Sequence, residues 1–218
     1  VAENWNVFQF CSTPLRQRRG PDQRSSATMD VVSDPVGTDA IRIGFRLLTD
    51  DDLPLLHRWL NDPDVVRWWE GDDVTWTGVL GRYSTAATAD DSVEHHLVLV
   101  DDRPVGWIQC WFLRDEPDMA EWVELGFDPL GTAGIDYLIG ESVDRGSGLG
   151  AAMIAEFVDR VVFGAHPGID AVGSDPDRAN ERSWRALAAA GFRPVADRPE
   201  GARTYRVMRR DRPTGVAT

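Results

Sequence analysis

A glycine-rich run, Arg145-Gly-Ser-Gly-Leu-Gly150, separates a short apolar segment from a longer one with helical periodicity. Residues 135–139 predict a strand, and apolar residues spaced three and four apart through 149–163 predict a helix. Glycines at such a junction let the main chain approach a ligand, and the first N–H groups of the helix point outward. The run therefore predicts a pyrophosphate-binding turn. Its ligand-binding positions are Arg145, Gly146, Ser147, Gly148, Leu149, Gly150 and Ala151.

Two better-known nucleotide-binding turns fit this run poorly. A Walker motif is excluded because no Gly-Lys-Ser/Thr sequence follows the glycines. A dinucleotide-binding fingerprint is disfavoured because it belongs to the first unit of a repeating βαβ series.

The net charge excludes several functional classes. The chain has 36 acidic residues against 23 basic ones, all of them arginine, for a formal net charge of −13. This balance argues against a nucleic-acid-binding face or a basic membrane-surface module. Hydrophobic residues at 42% and nine Trp argue against a disordered acidic chain. The acidity instead favours cationic ligands.

The distribution of Pro, Gly and Ser along the chain predicts one folded domain with two tails. Residues 1–38 are rich in Pro, Gly and Ser and predict a poorly ordered extension, in which Met29 is a candidate natural start. Residues 39–212 predict a single domain, and residues 213–218 predict a frayed C-terminal tail. Cys11 and Cys110 show no zinc or disulfide spacing. Together with the lack of a signal pattern or a long apolar run, this predicts a cytoplasmic protein without a metal.

The periodicity of the folded part predicts an α/β protein. Its order of elements is β-α-α-β-β-β-α-β-α-β-β, which indicates a mixed, mostly antiparallel sheet with helices on both faces. The pattern includes a first strand at 41–48, a hairpin at 93–113 and an acidic loop at 115–134. All four histidines are expected to be structural, since His95 and His96 face opposite sides of a strand.

Three features together resemble the acyl-CoA site of the GCN5-related N-acetyltransferases. They are Arg145-x-x-Gly148-x-Gly150, Asn180 at the start of the next helix, and Ala190-Gly191-Phe192. The resemblance implies that fold, acetyl-CoA as co-substrate and no metal. It also implies that Asn180 binds the amide-bearing cofactor and that Leu138 and Ile139 pair with pantetheine.

Residues 41–210 also resemble the aminoglycoside 6′-N-acetyltransferases. The matching motifs are Trp59-Leu-Asn61, Val66-Arg-Trp-Trp69, Gly134-Ile-Asp136, Ser174-Asp-Pro176 and Pro199-Glu-Gly201. The resemblance implies direct acetyl transfer to an antibiotic amine, with Asp136 as base or amine-positioning group and the Leu138 N–H as oxyanion donor. Leu187 stands where many members place a proton-donating Tyr, which leaves Tyr137, Ser183 and Tyr205 as other hydroxyls.

The same resemblance assigns residues to a polycationic aminoglycoside. The two tryptophans at 68–69 fit either a wall for sugar rings or the core, and each acid fits either an ammonium-binding site or the solvated surface. The candidates are Trp68, Trp69, Glu121, Trp122, Glu124, Asp136, Asp175 and Glu200.

Two other functions stay open at this point. One is acyl-CoA-dependent N-acylation of a siderophore precursor, whose enzymes share the Trp-rich N-terminal half but tend to carry a His near residues 135–136. The other is a noncatalytic acyl-CoA-binding module, suggested by Leu187. Both a monomer and a homodimer are compatible with the sequence.

Overall fold

The computed structural model describes residues 41–69, 72–89, 92–116 and 119–214, so the predicted extension at 1–38, Cys11 and most of the tail at 213–218 lie outside the described residues. Within these ranges, seven strands form one sheet in the order β1-β2-β3-β4-β5-β7-β6. The strands are β1 (Ile43–Leu47), β2 (Glu94–Val100), β3 (Arg103–Phe112), β4 (Thr132–Ile139), β5 (Ala171–Ser174), β6 (Arg193–Glu200) and β7 (Arg203–Asp211). Strands β4 and β5 are parallel and the other neighbours antiparallel, which confirms the predicted mixed sheet.

Helices cover both faces of the sheet. They are α1 (Leu53–Leu60), α2 (Pro63–Val66), α3 (Trp76–Tyr83), α4 (Met119–Glu124), α5 (Leu149–Glu156), α6 (Phe163–Ala165) and α7 (Glu181–Ala189), with a π-helical segment at Phe157–Val162 and 3-10 turns at Asp50–Asp52, Leu113–Asp115 and Ser142–Asp144. Apolar residues of α1 to α3 pack on one face and those of α5 to α7 on the other. In the part of the chain that the structure describes, no helix has the length and apolarity needed to cross a bilayer.

The side-chain alternation of the central strands builds two cores. Trp107 of β3 and Leu138 of β4 pack beneath α1, whereas Ile108 and Ile135 pack beneath α5. Because β4 alternates in this way, Asp136 shares a face with Leu138 and Tyr137 faces the opposite helices.

His95 and His96 of β2 also follow this alternation. His95 stacks on Trp107 with ring centroids 5.7 Å apart, and His96 contacts Phe157 at 5.2 Å. The two side chains therefore face opposite cores, as predicted.

The acidic segment at 115–134 is more regular than predicted. It contains α4, and β4 begins at Thr132 rather than at Ile135. Packing explains the helix, because Trp122 of α4 contacts the rings of Trp111 and Phe127 at 5.4 and 4.9 Å. An apolar anchor of this kind overrides a polar local sequence.

Strands β4 and β5 stay paired over a short distance only. Their register runs from Thr132 opposite Ala171 to Gly134 opposite Gly173. Beyond Gly134, β4 continues along β3 through Ile139 without β5 beside it. The sheet therefore opens into a gap next to the second half of β4.

Candidate active site

A pocket with an empty volume of about 730 Å³, including space open to solvent, lies beside this gap. We call it the central pocket. Its lining includes Trp68, Trp69, Asp72, Arg82, Gln109, Asp136, Tyr137, Asp175, Asp177, Asn180, Ser183 and Tyr205. The structure therefore brings together Trp68, Trp69, Asp136, Asp175 and Asn180 from the predicted site residues.

The carboxyl group of Asp136 is held by two neutral donors. Its Oδ2 accepts a hydrogen bond from Gln109 Nε2 at 2.7 Å and another from Trp111 Nε1 at 3.0 Å. Gln109 lies directly opposite Asp136 in the β3–β4 register, which explains the short contact. Burial raises the pKa of Asp136 above its ordinary value, against the opposing effects of these hydrogen bonds and of Arg82.

Three polar residues of the pocket, Gln109, Arg82 and Asp72, were not predicted from the sequence. Arg82 of α3 forms an ion pair with Asp72 at 2.6 Å, and both line the pocket beside Trp69. Gln109 had a detectable signal, since it is a polar residue within the apolar run 105–113. Arg82 and Asp72 come from different local segments, and their ten-residue separation gave no comparable signal.

One arginine pairs with three of the predicted substrate-binding acids. Arg198 Nη1 lies 2.7 Å from Glu121 Oε2 and 3.2 Å from Glu200 Oε2, and its Nη2 lies 3.0 Å from Asp175 Oδ2. Burial raises the pKa of Asp175 to about 7, although the charge of Arg198 opposes that shift. These acids therefore converge as predicted, but on a cation of the chain itself.

Two of the predicted substrate-binding residues, Trp122 and Glu124, lie outside the lining of the central pocket. Trp122 lies in the core beneath α4, where its ring covers Gly173 so closely that a Cβ there would fall 2.3 Å from its Cζ3. The described lining of the central pocket includes neither Trp122 nor Glu124, which is exposed on α4. The structure therefore does not place Trp122 with the other predicted substrate-binding residues, because its ring packs against Trp111 and Phe127.

The other two tryptophans remain at the pocket. Trp69 lies edge-to-face with Trp107 at 6.0 Å and packs on the core beneath α1. Trp68 lies under the guanidinium group of Arg67 at 4.9 Å. Both rings are partly buried, so each combines a packed side with a side toward the pocket.

The side chain of Arg145 is bound to neighbouring parts of the chain. Its guanidinium group donates to both carboxylate oxygens of Asp62 at 3.0 and 3.1 Å and to the carbonyl oxygens of Ile139 and Gly140. Four of its five N–H groups are engaged in this way. Arg145 therefore fastens the glycine turn to α2 and the end of β4, and its side chain is not placed to bind a phosphate.

The glycine turn itself has the conformation that the sequence predicts. Gly146 and Gly148 have φ values of 81° and 89°, in the left-handed region, and Gly148 is the N-cap of α5. No described atom lies within 4 Å of a Cβ built on either glycine. Ser147 Oγ donates to the carbonyl of Asp144 at 2.7 Å, which shapes the turn. The main chain thus faces open space at the start of a helix.

The register of β4 decides which main-chain groups face the gap. Gly140 N–H donates to the Val105 carbonyl across the β3 side, and Gly131 C=O accepts from Ala171 on the β5 side. Alternation from both ends directs the Leu138 N–H and C=O toward Trp107 of β3, and those of Tyr137 and Ile139 toward the gap. This contradicts the expectation that the Leu138 main chain faces a ligand. Tyr137 faces the gap in place of Leu138, and Ile139, which was also predicted, faces it as well.

The start of α7 brings two polar side chains, Asn180 and Ser183, near the hydroxyl group of Tyr137 on β4. Asn180 is the N-cap, and its Oδ1 accepts from the Ser183 N–H at 3.3 Å. Tyr137 Oη lies 2.8 Å from Ser183 Oγ. Leu187, one turn further, is fully buried in the core.

Comparisons of the sequence and the structure with known proteins identify relatives of this chain. A family model described as an acetyltransferase (GNAT) domain matches residues 49–198. Proteins named aminoglycoside N(6′)-acetyltransferase type 1, from Klebsiella pneumoniae and Serratia marcescens, are each 30% identical over 172 residues, covering 77% of this chain and 83% of the relative.

Solved structures agree in fold. AAC(6′)-Ib in complex with paromomycin and acetyl-CoA matches with a TM-score of 0.68 and 28% identity, over 78% of this chain and 93% of that one. The same enzyme with coenzyme A and kanamycin matches with a TM-score of 0.68 and 27% identity, over 78% and 95%. A spermidine N-acetyltransferase from Vibrio cholerae shares the fold at 14% identity, with a TM-score of 0.62 and coverage of 78% and 95%.

Proposed function

The chain belongs to the GNAT acetyltransferase family, and on that basis we propose that it transfers an acetyl group from acetyl-CoA to the 6′-amine of aminoglycosides. The observation that carries this proposal is the place of Asp136. Its partly buried carboxyl group lies in a pocket beside the gap, held by Gln109 and Trp111. The relatives named aminoglycoside N(6′)-acetyltransferases support the choice of acceptor.

The residues at the gap fit acetyl-CoA, which the family uses as its acetyl donor. The open main chain at Gly146 and Gly148 and the first turn of α5 suit a pyrophosphate. The outward N–H groups of Tyr137 and Ile139 and the C=O group of Tyr137 suit an extended, amide-bearing arm, whereas the Ile139 carbonyl already accepts from Arg145 Nε. When bound, the cofactor supplies a thioester carbonyl that is open to attack by an amine.

Asp136 has the properties that an amine acceptor requires. An aminoglycoside amine arrives protonated and becomes a nucleophile only after it loses a proton. A carboxylate in the pocket attracts the ammonium group, and its raised pKa makes it a better proton acceptor than an exposed Asp. We therefore assign Asp136 the roles of positioning the amine and accepting its proton.

The remaining roles fall to groups around Asp136. Trp68 and Trp69 offer flat apolar surface to a sugar ring. The N–H groups of Tyr137 and Ile139, rather than that of Leu138, are available for charge that develops on the acetyl oxygen. The hydroxyl pair of Tyr137 and Ser183 provides a proton for the leaving thiolate.

The test is an acetylation assay with kanamycin and acetyl-CoA on the full chain. We expect acetylation at the 6′-amine, identified by mass spectrometry and NMR, and a fall in kcat of roughly 100-fold or more in Asp136→Asn. Asp102→Asn is the matched control, because Asp102 lies at the exposed β2–β3 turn with a positive φ that Asn tolerates.

The outcomes separate the candidate functions. Absence of turnover with any aminoglycoside would reject the proposed acceptor. Binding of acetyl-CoA by calorimetry without turnover of any amine would indicate a noncatalytic module instead. Unchanged kcat in Asp136→Asn would remove only the role assigned to that residue.

A further inference from the structure

Three acids that line the central pocket are each paired with an arginine of the chain. Asp72 pairs with Arg82 at 2.6 Å and Asp177 with Arg203 at 3.1 Å. Asp175 pairs with Arg198 at 3.0 Å. Among the described acids of the lining, Asp136 differs, because it accepts hydrogen bonds from the neutral side chains of Gln109 and Trp111. The pocket therefore presents one carboxylate whose charge is not matched by a partner cation in direct contact.

The pairing at Arg198 is the most extensive of the three. Its guanidinium group is within 3.2 Å of Asp175, Glu121 and Glu200, and it lies 5.5 Å from the centroid of the Tyr205 ring. Its side chain is 20% exposed and that of Asp175 is 12% exposed. A cation enclosed by carboxylates and an aromatic ring occupies the surroundings that would otherwise bind an ammonium group.

We propose that Arg198 is a specificity-determining residue that fills a second ammonium site at Asp175, so that the pocket recognises its acceptor through one ammonium group at Asp136. The inference rests on the proposed amine acetylation and sets its substrate class. The pocket selects an amino sugar by the reacting amine, and further positive charges on the ligand add little to the binding affinity. A polycationic aminoglycoside is then a substrate whose other ammonium groups meet Arg198 instead of a vacant carboxylate.

The test compares two acceptors that differ in charge. Kanamycin carries several amino groups, whereas 6-amino-6-deoxyglucose carries one, on the equivalent carbon. In Arg198→Gln we expect the KM for kanamycin to fall about tenfold, as for a gained charge-assisted contact, and the KM for the single-amine sugar to stay within about twofold. Arg206→Gln is the matched control, since Arg206 lies on the same hairpin and pairs with Asp197 at 2.9 Å. It removes the same charge and should change neither KM.

A second variant keeps the test valid if Arg198→Gln folds poorly. Glu121 is 58% exposed at its side chain, so Glu121→Gln does not threaten folding. Because its charge is engaged by Arg198, we expect the KM for kanamycin to change by less than about twofold. A several-fold rise for kanamycin alone would show that Glu121 contacts the substrate, and would overturn the inference. A rise in the kanamycin KM in Arg198→Gln, or equal changes for both acceptors, would also overturn it.

Failure of the proposed function is distinguishable from failure of this inference. If the wild-type protein acetylates neither acceptor, the proposed function fails, and calorimetry on kanamycin with the wild-type protein and Arg198→Gln still measures the charge selection. Tighter kanamycin binding in the variant supports the inference, and unchanged or weaker binding rejects it.

Discussion

The hydroxyl groups of Tyr137 and Ser183 lie 2.8 Å apart across the gap between β4 and α7, and both line the central pocket. Leu187, at the position where the sequence lacks the expected Tyr, is buried in the core and has no proton to donate. The proton donor that we propose for a leaving thiolate, the Tyr137 hydroxyl, therefore lies on a different element, β4 rather than α7.

For Tyr137→Phe we expect kcat to fall by about 10- to 100-fold with little change in the KM for acetyl-CoA. Burial raises the pKa of Tyr137 above its ordinary value, so the hydroxyl stays protonated at neutral pH and can act as a donor. Steady-state kinetics measure the split between kcat and KM. Ser183→Ala, which removes only the partner hydroxyl, should have a smaller effect. Equal kcat in Tyr137→Phe and the wild-type protein would contradict this role.

The pH dependence of acetylation should report a carboxyl group with a raised pKa. Asp136 must be ionised to accept a proton, and activity is lost as the pH falls through its pKa. Since burial raises that pKa, the acid limb of the kcat/KM profile should lie above the usual range of an aspartate. Asp175, whose pKa is raised to about 7, is the other candidate for this limb. A profile whose acid limb persists in Asp136→Asn and disappears in Asp175→Asn would reassign it.

Arg145 and Asp62 should behave as one energetic unit. The Arg145 side chain is 13% exposed and that of Asp62 is 30% exposed, and two hydrogen bonds join them. We expect Arg145→Gln to lower the free energy of unfolding by about 2 kcal/mol, because it leaves Asp62 and two carbonyl groups without these donors. Asp62→Asn in that background should add much less than it does alone. Chemical denaturation of the four proteins in the cycle measures the coupling, and fully additive losses would argue against the pair.

Two glycine substitutions should have opposite effects on stability. Gly148→Ala places a Cβ on a residue with φ of 89°, which should destabilise the fold by about 1–2 kcal/mol and raise the KM for acetyl-CoA. Gly81 lies inside α3 with no described atom within 4 Å of an added Cβ, so Gly81→Ala should stabilise the fold by about 0.5–1 kcal/mol. Thermal unfolding and acetyl-CoA titration check both. A donor KM that also rises in Gly81→Ala would mean that the assay responds to stability rather than to the turn.

Local sequence was enough to predict the parts of the site that depend on one element. The glycine turn before α5, the place of Asp136 on β4 and the place of Asn180 at the start of α7 each follow from residues next to one another in the chain. The mixed sheet was predictable for the same reason, since alternation and helical spacing are local patterns. One prediction that needed the parity of a strand, the direction of the Leu138 main chain, was wrong. The partners of the Arg145 guanidinium group could not be predicted from neighbouring residues, because Asp62 is distant in the sequence.

The contacts of Arg198 lay beyond any local pattern. Its partners come from α4, from the loop after β5 and from the end of its own strand, so only the folded chain brings them together. The acids themselves were recognisable, but the arginine that neutralises them occupies no special position in the sequence. Likewise, α4 depends on contacts of Trp122 with Trp111, which precedes the helix, and with Phe127, which follows it.

The short pairing of β4 with β5 has a consequence for stability as well as for binding. Three residue pairs, from Thr132–Ala171 to Gly134–Gly173, join β4 to β5. An extended ligand arm lying along the rest of β4 would take the position that a longer β5 would occupy. A ligand that binds only the folded state raises its stability by an amount set by ligand concentration and Kd. If acetyl-CoA binds at this proposed site, occupancy and folding are linked, and the protein should unfold at higher temperature when acetyl-CoA is saturating.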